Sequence, residues 1–575
     1  MSLTRALLFA GLLAGAGCAT HEADTSLTGE YLAGRLAARV NAIDDAAAAY
    51  SAAHEAAPGQ VDILRDAFFY HLAAGEIDAA APYAEKLVAI GGEASNDGLA
   101  RTLLAARALK QGRLRQARAI LNGPMETPFV KSVGFLTDVW IEAGLAGPES
   151  AMARLENPDT DIFAGFNPLH RALLAEMAGK IDEARAAHQA SVFALGGPVG
   201  RAAYGAFLER RGDEETARAY YKLLEGEPGP ARRAAEAGLA RLDRGRASRA
   251  YAKVSPSEGA AIAFYSFGAA MIDQAAGQRA RAQEAGFILG EPRFNLPLAL
   301  ARIALYLDPK LDEARRLVGT ILNVYGDYEG ATAALAGIAP SSPHFEQARI
   351  EMARGLMAQA RPAEAINLLR EAIRRDPDGR ELRFTLANVY AGQGEHDKAV
   401  ATLDELIGRA GDEPDDGAWR YYVARGASYL ELDRWPDAEA DLERAVELAP
   451  DEPTALNYLG YSWAERGVNL ERAFELIEKA VELEPRSGAI IDSLGWAYYQ
   501  LGDYEKAVVH LERAAALEPD DATITDHLGD VYWRLGRKTE ARYQWRRALE
   551  LDPGVRLKAL IEKKLEKGLA SEEGA

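Results

Sequence analysis

The chain has 575 residues, 48% of them hydrophobic and 26% charged, and a formal net charge of −20. Such an acidic surplus argues against nucleic-acid binding, which needs clustered Lys and Arg to neutralise phosphates. The single cysteine excludes an internal disulfide, so the fold must be held by packing.

The first element lies outside any repeating pattern. Arg5 supplies a positive start, and Ala6–Gly17 is an apolar run too short to span a bilayer. Residues 1–17 therefore read as a signal peptide, and Cys18 closes the run. A lone cysteine at this point resembles the lipid-modified cysteine of bacterial lipoproteins. The resemblance implies cleavage before Cys18, a diacylglycerol on its thiol, and a lipidated N-terminus with a short linker over 18–27. Ala19 stands where an inner-membrane retention signal would place aspartate, which implies sorting to the outer membrane, facing the periplasm. The residues alone leave a second route open. Ala14-Gly15-Ala16 is an A-x-A-like site, and cleavage after Ala16 would give a soluble periplasmic protein with a free thiol.

Beyond the linker, alanine, leucine, glutamate and arginine dominate, and all are good helix formers. No sustained alternation of β-branched residues appears, so essentially no sheet is expected. Residues 28–256 show a loose grid of small and large residues: Gly34, Ala46, Tyr50, Ala53 and Pro58, then Ala172, Gly179 and Ala184, then Gly205, Gly212, Ala217 and Tyr221. The grid fails over 123–165, 230–256 and 257–309. The last stretch, with its Gly286–Pro292 segment, reads as an irregular helical connector. Residues 310–553 form the regular array. Residues 554–575 read as a capping helix and tail, with Leu557, Leu560, Ile561 and Leu565 on one face of a basic helix.

The regular array repeats most closely near its end; the Gly460–Pro485 unit has one extra residue in its turn, and a longer polar loop covers Gly408–Gly417. Leu494-Gly495-Trp496-Ala497-Tyr498 returns 34 residues later as Leu528-Gly529-Asp530-Val531-Tyr532. Gly502 matches Gly536, Ala507 matches Ala541, Ala514 matches Ala548, and Pro519 matches Pro553. Each position has a physical task. Gly495 and Gly529 permit close approach of two helices, and Ala507 and Ala514 do the same on the second helix. Gly502 suits a left-handed helix end, Pro519 stops the second helix, and Asp520 or Asp521 offers a cap to the next one. The same grid runs back through Gly460, Trp463, Gly467, Ala473, Ala480 and Pro485, and through Gly426, Ala438 and Ala445. The period and pattern resemble the tetratricopeptide repeat (TPR), a helix–turn–helix unit that stacks into a superhelix. The expected fold is all-α, a solenoid of about 12–15 such repeats, some degenerate.

The search for catalytic chemistry finds little. His54-Glu55 begins a metalloprotease-like helix motif, but the second histidine position is Pro58. No nucleophile elbow, phosphate loop or dinucleotide fingerprint occurs. No enzyme activity, cofactor or metal is expected.

In this repeat the first helix, A, lines the concave surface. Positions three before, one after and four after the repeated small residue are expected to project into the groove. They are Phe384 and Asn388, then Asn457 and Tyr461, then Asp492, Trp496 and Tyr499, then Asp526, Asp530 and Trp533. Tryptophan and tyrosine are typical interface anchors, so this row is the candidate protein-binding groove. The alternative is that neighbouring A helices pinch the rings between them. A clamp for a peptide carboxylate, built from Lys, Arg and Asn, is not expected here, and in the last repeat Arg534 is the only cation the sequence places nearby.

The C-terminal third carries a more particular signature. Asn457-Tyr458-Leu459-Gly460-Tyr461, Asp492-Ser493-Leu494-Gly495-Trp496, and Asp526-His527-Leu528-Gly529-Asp530 with Tyr532-Trp533 are similar to the large TPR lipoproteins of the Gram-negative outer membrane. That family includes the adaptor of a periplasmic carboxyl-terminal processing protease. The resemblance implies a non-catalytic protein that holds, activates and feeds such a protease. The second reading is a structural scaffold for an envelope assembly: polysaccharide export, pilus or outer-membrane biogenesis. Neither reading involves nucleic acid or a small-molecule substrate; the membrane would be met through the lipid on Cys18, and contact of the basic helix Arg556–Lys567 with a membrane surface is a second reading of that helix.

Overall fold

The computed structural model describes residues 27–90, 98–123, 125, 127–156, 165–193, 197–227, 229–284, 287, 293–410 and 417–569. The leader 1–17, Cys18 and most of Gly286–Pro292 lie outside them. The described residues form thirty helices and no strand, and most helices pack in consecutive pairs. The expected all-α repeat superhelix is what the chain adopts. It divides into two compact units, Met1–Arg361 and Pro362–Ala575.

In the second unit the repeat geometry follows from its small residues. Gly488–Gln500 pairs with Tyr504–Leu517, and Ala522–Arg534 with Lys538–Glu550. A Cβ on Gly495 would stand 2.7 Å from Leu511, one on Gly460 2.7 Å from Ile477, and one on Gly529 2.5 Å from Trp545. Each A helix thus offers a bare backbone to a large side chain of its own B helix. Ala507, Ala514, Ala541 and Ala548 are fully buried on the B side. Gly502 and Gly536 end their helices at φ of +75° and +77°, a region that disfavours any Cβ. Of the two candidate caps before the last A helix, Asp521 serves, accepting from the Thr523 and Ile524 backbone N–H at 2.8 and 2.9 Å.

A further repeating position emerges only from the structure. Lys479, Arg513 and Arg547 each donate from the B helix to the carbonyl of the proline that closes the preceding repeat, Pro450, Pro485 and Pro519. The three donors are themselves spaced by 34 residues. They satisfy carbonyls left bare where a helix has ended and proline has replaced the next donor.

The first unit departs from an open solenoid, in which each repeat touches only its neighbours. Residues 257–309 are not an irregular connector. They contain the helices Pro256–Glu284 and Asn295–Leu307, which lie in the unit's main core. Ala260, Ala261, Ala263, Phe264 and Phe267 are all buried, and Gly259 lies against Trp140 of the helix Pro128–Ala146. Asn295–Leu307 packs on Val61–Ala74, more than 200 residues earlier. Lys110 Nζ donates to the Leu307 carbonyl at 2.8 Å, and Arg302 Nε reaches the Ala73 carbonyl at 3.4 Å. A helix buried on several sides has no polar face to set a repeat pattern, which is why this stretch lost the grid.

Candidate functional site

Eight of the ten expected groove positions lie on three successive A helices, Pro453–Arg466, Gly488–Gln500 and Ala522–Arg534, while Phe384 and Asn388 lie on Arg380–Gly392, set apart by the helix Trp419–Glu431, and they do not form one open row. Adjacent A helices pack side by side, and the carboxylates fall in the seam between them. Asp492 is 5% exposed and accepts from His527 Nδ1 of the next A helix at 2.9 Å. Asp526 and Asp530 are 2% and 4% exposed, and both bind Lys564 Nζ, at 2.6 and 2.7 Å. Asp530 also accepts from Trp545 Nε1 at 2.8 Å. These three aspartates are internal struts of the stack, a correction to their reading as groove contacts. Pinching between neighbouring A helices is the alternative expected for the rings; here it is the carboxylates that the neighbouring helices close over.

Lys564 belongs to the C-terminal helix Val555–Lys567, which occupies the place of a further A helix. It stands 34 residues after Asp530, on the same grid. Arg534, singled out in the sequence, instead donates from Nε to the Tyr499 hydroxyl at 3.1 Å. Ile561 of this helix is fully buried, but Leu560 is 48% exposed and does not share its face. Lys564 was missed because its partners lie on another helix. Its spacing from Asp530 was the available signal.

Burial works against charge in this seam, and neighbours decide the outcome. Burial disfavours the His527 imidazolium, but the Asp492 carboxylate, with Asp526 and Asp530 behind it, holds the ring's pKa above its usual value. Burial, then the Asp526 carboxylate, push Asp530 up to about 6 in spite of Lys564. Burial opposes the Lys564 ammonium too, yet Asp530 and Asp526 hold its pKa above the ordinary lysine range.

The remaining positions keep part of their surface. Trp496 stacks on Tyr499, with centroids 4.6 Å apart, and on His527 at 3.9 Å, yet stays half-buried with no acceptor for its Nε1–H. Tyr461 and Asn457 are half-buried, and Asn457 Oδ1 has no donor. Trp533 lies 5.3 Å from Trp545, with the ammonium of Lys538 at 5.1 Å over its ring. Phe384 lies 5.4 Å from Tyr421 beneath Arg420, and Asn388 is exposed. The inner face therefore carries partly exposed rings over a buried polar seam. Among the described residues no group of His, Cys, Asp and Glu is placed to hold a metal ion, and no helix is long and apolar enough to cross a membrane.

Tetratricopeptide-repeat profiles match residues 356–425, 423–488, 495–536 and 524–555. The TPR repeat-containing protein PA4667 of Pseudomonas aeruginosa is 28% identical over 193 residues, 33% of this chain and 32% of that protein. The BBSome complex member BBS4 of Bos taurus is 29% identical over 117 residues, covering 20% of this chain and 21% of its own. The protein O-mannosyl-transferase TMTC1 of Homo sapiens is 26% identical over 148 residues, covering 25% and 16%. The chain thus spans a third or less of the length of these curated relatives. Among solved structures, the APC/C hetero-tetramer Cut9-Hcn1 aligns over 95% of this chain and 96% of its own, with a TM-score of 0.38 and 15% identity. A tetratricopeptide repeat protein from Parabacteroides merdae aligns over 43% of this chain and 94% of its own, with a TM-score of 0.36 and 17% identity.

Proposed function

We propose that this chain, built of tetratricopeptide repeats, is a non-catalytic scaffold anchored by lipid on Cys18 to the periplasmic face of the outer membrane. Its protein partner lies along the inner face of the A helices between 380 and 534. The observation that carries the binding role is the succession of partly exposed rings there, Phe384, Tyr461, Trp496, Tyr499 and Trp533. Large rings half out of water, beside polar atoms lacking partners, favour burial against another protein. The buried aspartates, His527 and Lys564 hold the helices that present them.

The partner we assign is a carboxyl-terminal processing protease, for which the chain acts as adaptor or activator. This rests on the resemblance of the motifs around Gly460, Gly495 and Gly529 to adaptor lipoproteins, and on the position of Cys18 behind its apolar run. Two acyl chains or more make such anchoring stable, at roughly 0.8 kcal/mol per buried methylene. The anchor is tested by Cys18→Ser in the full chain. The wild type should sediment with outer membranes, and the variant should appear in the soluble fraction or retain its leader. Unchanged sedimentation of a processed variant would remove the lipid anchor from this account.

A further inference from the structure

The first described helix is Leu27–Arg39, paired with Ile43–Ala56. Its Gly34 keeps the register of the repeat. A Cβ there would stand 3.1 Å from Tyr50, and one on Gly495 would meet Leu511 at the same spacing. Two positions before and after this glycine, the grid places residues that a preceding repeat covers. Around Gly495 they are Ser493 and Ala497, around Gly529 His527 and Val531, and all four are buried. Ala497 packs with Leu456 and Leu459 of the repeat before it, and His527 bonds Asp492. Around Gly34 the same positions are Leu32 and Leu36, 57% and 65% exposed. Val40, just past the helix end, is 59% exposed. Spacing by four sets the three in one ridge. This helix turns large aliphatic side chains outward and its small Gly34 and Ala37 inward.

Arg35 and Arg39 flank the ridge, and both are exposed. Arg35 lies 6.0 Å from the Tyr31 ring centre. Asp66 feels its charge, but among the described residues neither arginine stands in an ion pair. The end of a solenoid normally shows water a polar face, and this one shows aliphatic carbon edged by cations. The segment before the helix, with Thr20, His21, Glu22, Asp24, Thr25 and Ser26, has no large apolar side chain to lay on it. Three apolar side chains fall short of the about 800 Å² per partner that a stable pair of copies buries. A bilayer suits both parts of the face, because its interface takes Leu and Val and its anionic headgroups attract Arg. Cys18 stands nine positions before Leu27. A lipid on it would keep the ridge within about 30 Å of the bilayer, the reach of that length of extended chain.

We infer that Leu32, Leu36 and Val40, with Arg35 and Arg39, form a docking surface for the membrane to which the chain is anchored. The inference rests on the lipid reading of Cys18 for its tether. Docking adds a second membrane signal to the acyl chains and fixes how the first repeat meets the bilayer.

The test places the mature full chain in vesicles of phosphatidylethanolamine and phosphatidylglycerol. An environment-sensitive fluorophore sits on Leu36→Cys or, as control, on Tyr543→Cys, a position 62% exposed in Lys538–Glu550. The label at 36 should shift to the blue and be quenched by nitroxide-bearing lipid, and the label at 543 should do neither. Adding Leu32→Ser and Val40→Ser should lower the ratio of docked to undocked label at least about tenfold. Helix content should stay unchanged, because both side chains are exposed. Arg35→Gln and Arg39→Gln should each weaken docking about fivefold in these vesicles and have no effect in phosphatidylcholine. The mass of the peptide containing Cys18 reports the anchor separately. If Cys18 carries no acyl group, the label at 36, with Cys18→Ser, must respond to added vesicles through the ridge alone. A label at 36 that stays in water would overturn the proposal, as would lipid quenching unchanged by the serine or glutamine variants. Shielding that follows protein concentration and not vesicles would overturn it too, and assign the ridge to a second copy.

Discussion

Gly259→Ala should destabilise the first unit by about 3 kcal/mol, an overpacking cost at the upper end for one added methyl. A Cβ at this position would stand 2.0 Å from Trp140, whose ring is fully buried. The ring has nowhere to go. Its Nε1–H donates to His170 Nδ1 at 2.9 Å, and burial pushes His170 down to about 3, so that imidazole stays neutral and accepts. Moving Trp140 would break this bond inside the core. The effect should be read by hydrogen exchange in the full chain, because two units do not unfold as one transition. Amides of Pro128–Ala146 and Pro256–Glu284 should lose protection together. Unchanged protection would mean that Pro256–Glu284 does not hold the first unit together through Trp140.

Lys564→Met should have a comparable effect at the other end of the chain. Asp526 and Asp530 share this ammonium at 2.6 and 2.7 Å, with side chains 3% and 5% exposed. Removing one partner from a buried ion cluster leaves carboxylates facing each other, at a cost of about 3–5 kcal/mol. The cost should depend on pH in a direction opposite to ordinary acid denaturation. Asp530 already has its folded pKa raised, from 3.8 to about 6, and losing the ammonium raises it further. Between those values the folded chain binds more protons than the unfolded one, so this group's contribution to stability grows as pH falls. Hydrogen exchange of Ala522–Arg534 should therefore show a large deficit in the variant at pH 7 that narrows towards pH 5, after correction for intrinsic exchange. A deficit constant across that window would show that Lys564 acts through packing alone.

The repeat was legible because its determinants are local and periodic. Gly495, Gly529, Ala507 and Ala514 could be placed from spacing alone, since a small residue has one use at a close helix crossing. Gly502 could be placed because a helix end needs a left-handed residue. Partners across the stack were harder. Asp492, Asp526 and Asp530 stand at positions that face inward on an isolated helix, but the next A helix closes over them with His527 or Lys564. Single-helix reasoning sees the direction of a side chain and not the neighbour that arrives there. The proline-capping residues Lys479, Arg513 and Arg547 carried a visible period, yet a basic residue on a helix surface usually needs no structural reason. The closure of the first unit was hidden for a different cause. Ala260, Phe264 and Phe267 pack against helices far away in sequence, and such contacts leave no local pattern.

The partly exposed rings remain the point at which structure would become function. The direct measurement is capture of periplasmic proteins on the purified full-length chain, comparing the wild type with Tyr461→Ala/Trp496→Ala. Helix content and melting of both chains are measured alongside. The account predicts that the wild type retains a carboxyl-terminal processing protease and that the double variant, still folded, loses most of it. Recovery of no such protease on the wild type, or equal recovery on the folded variant, would contradict it.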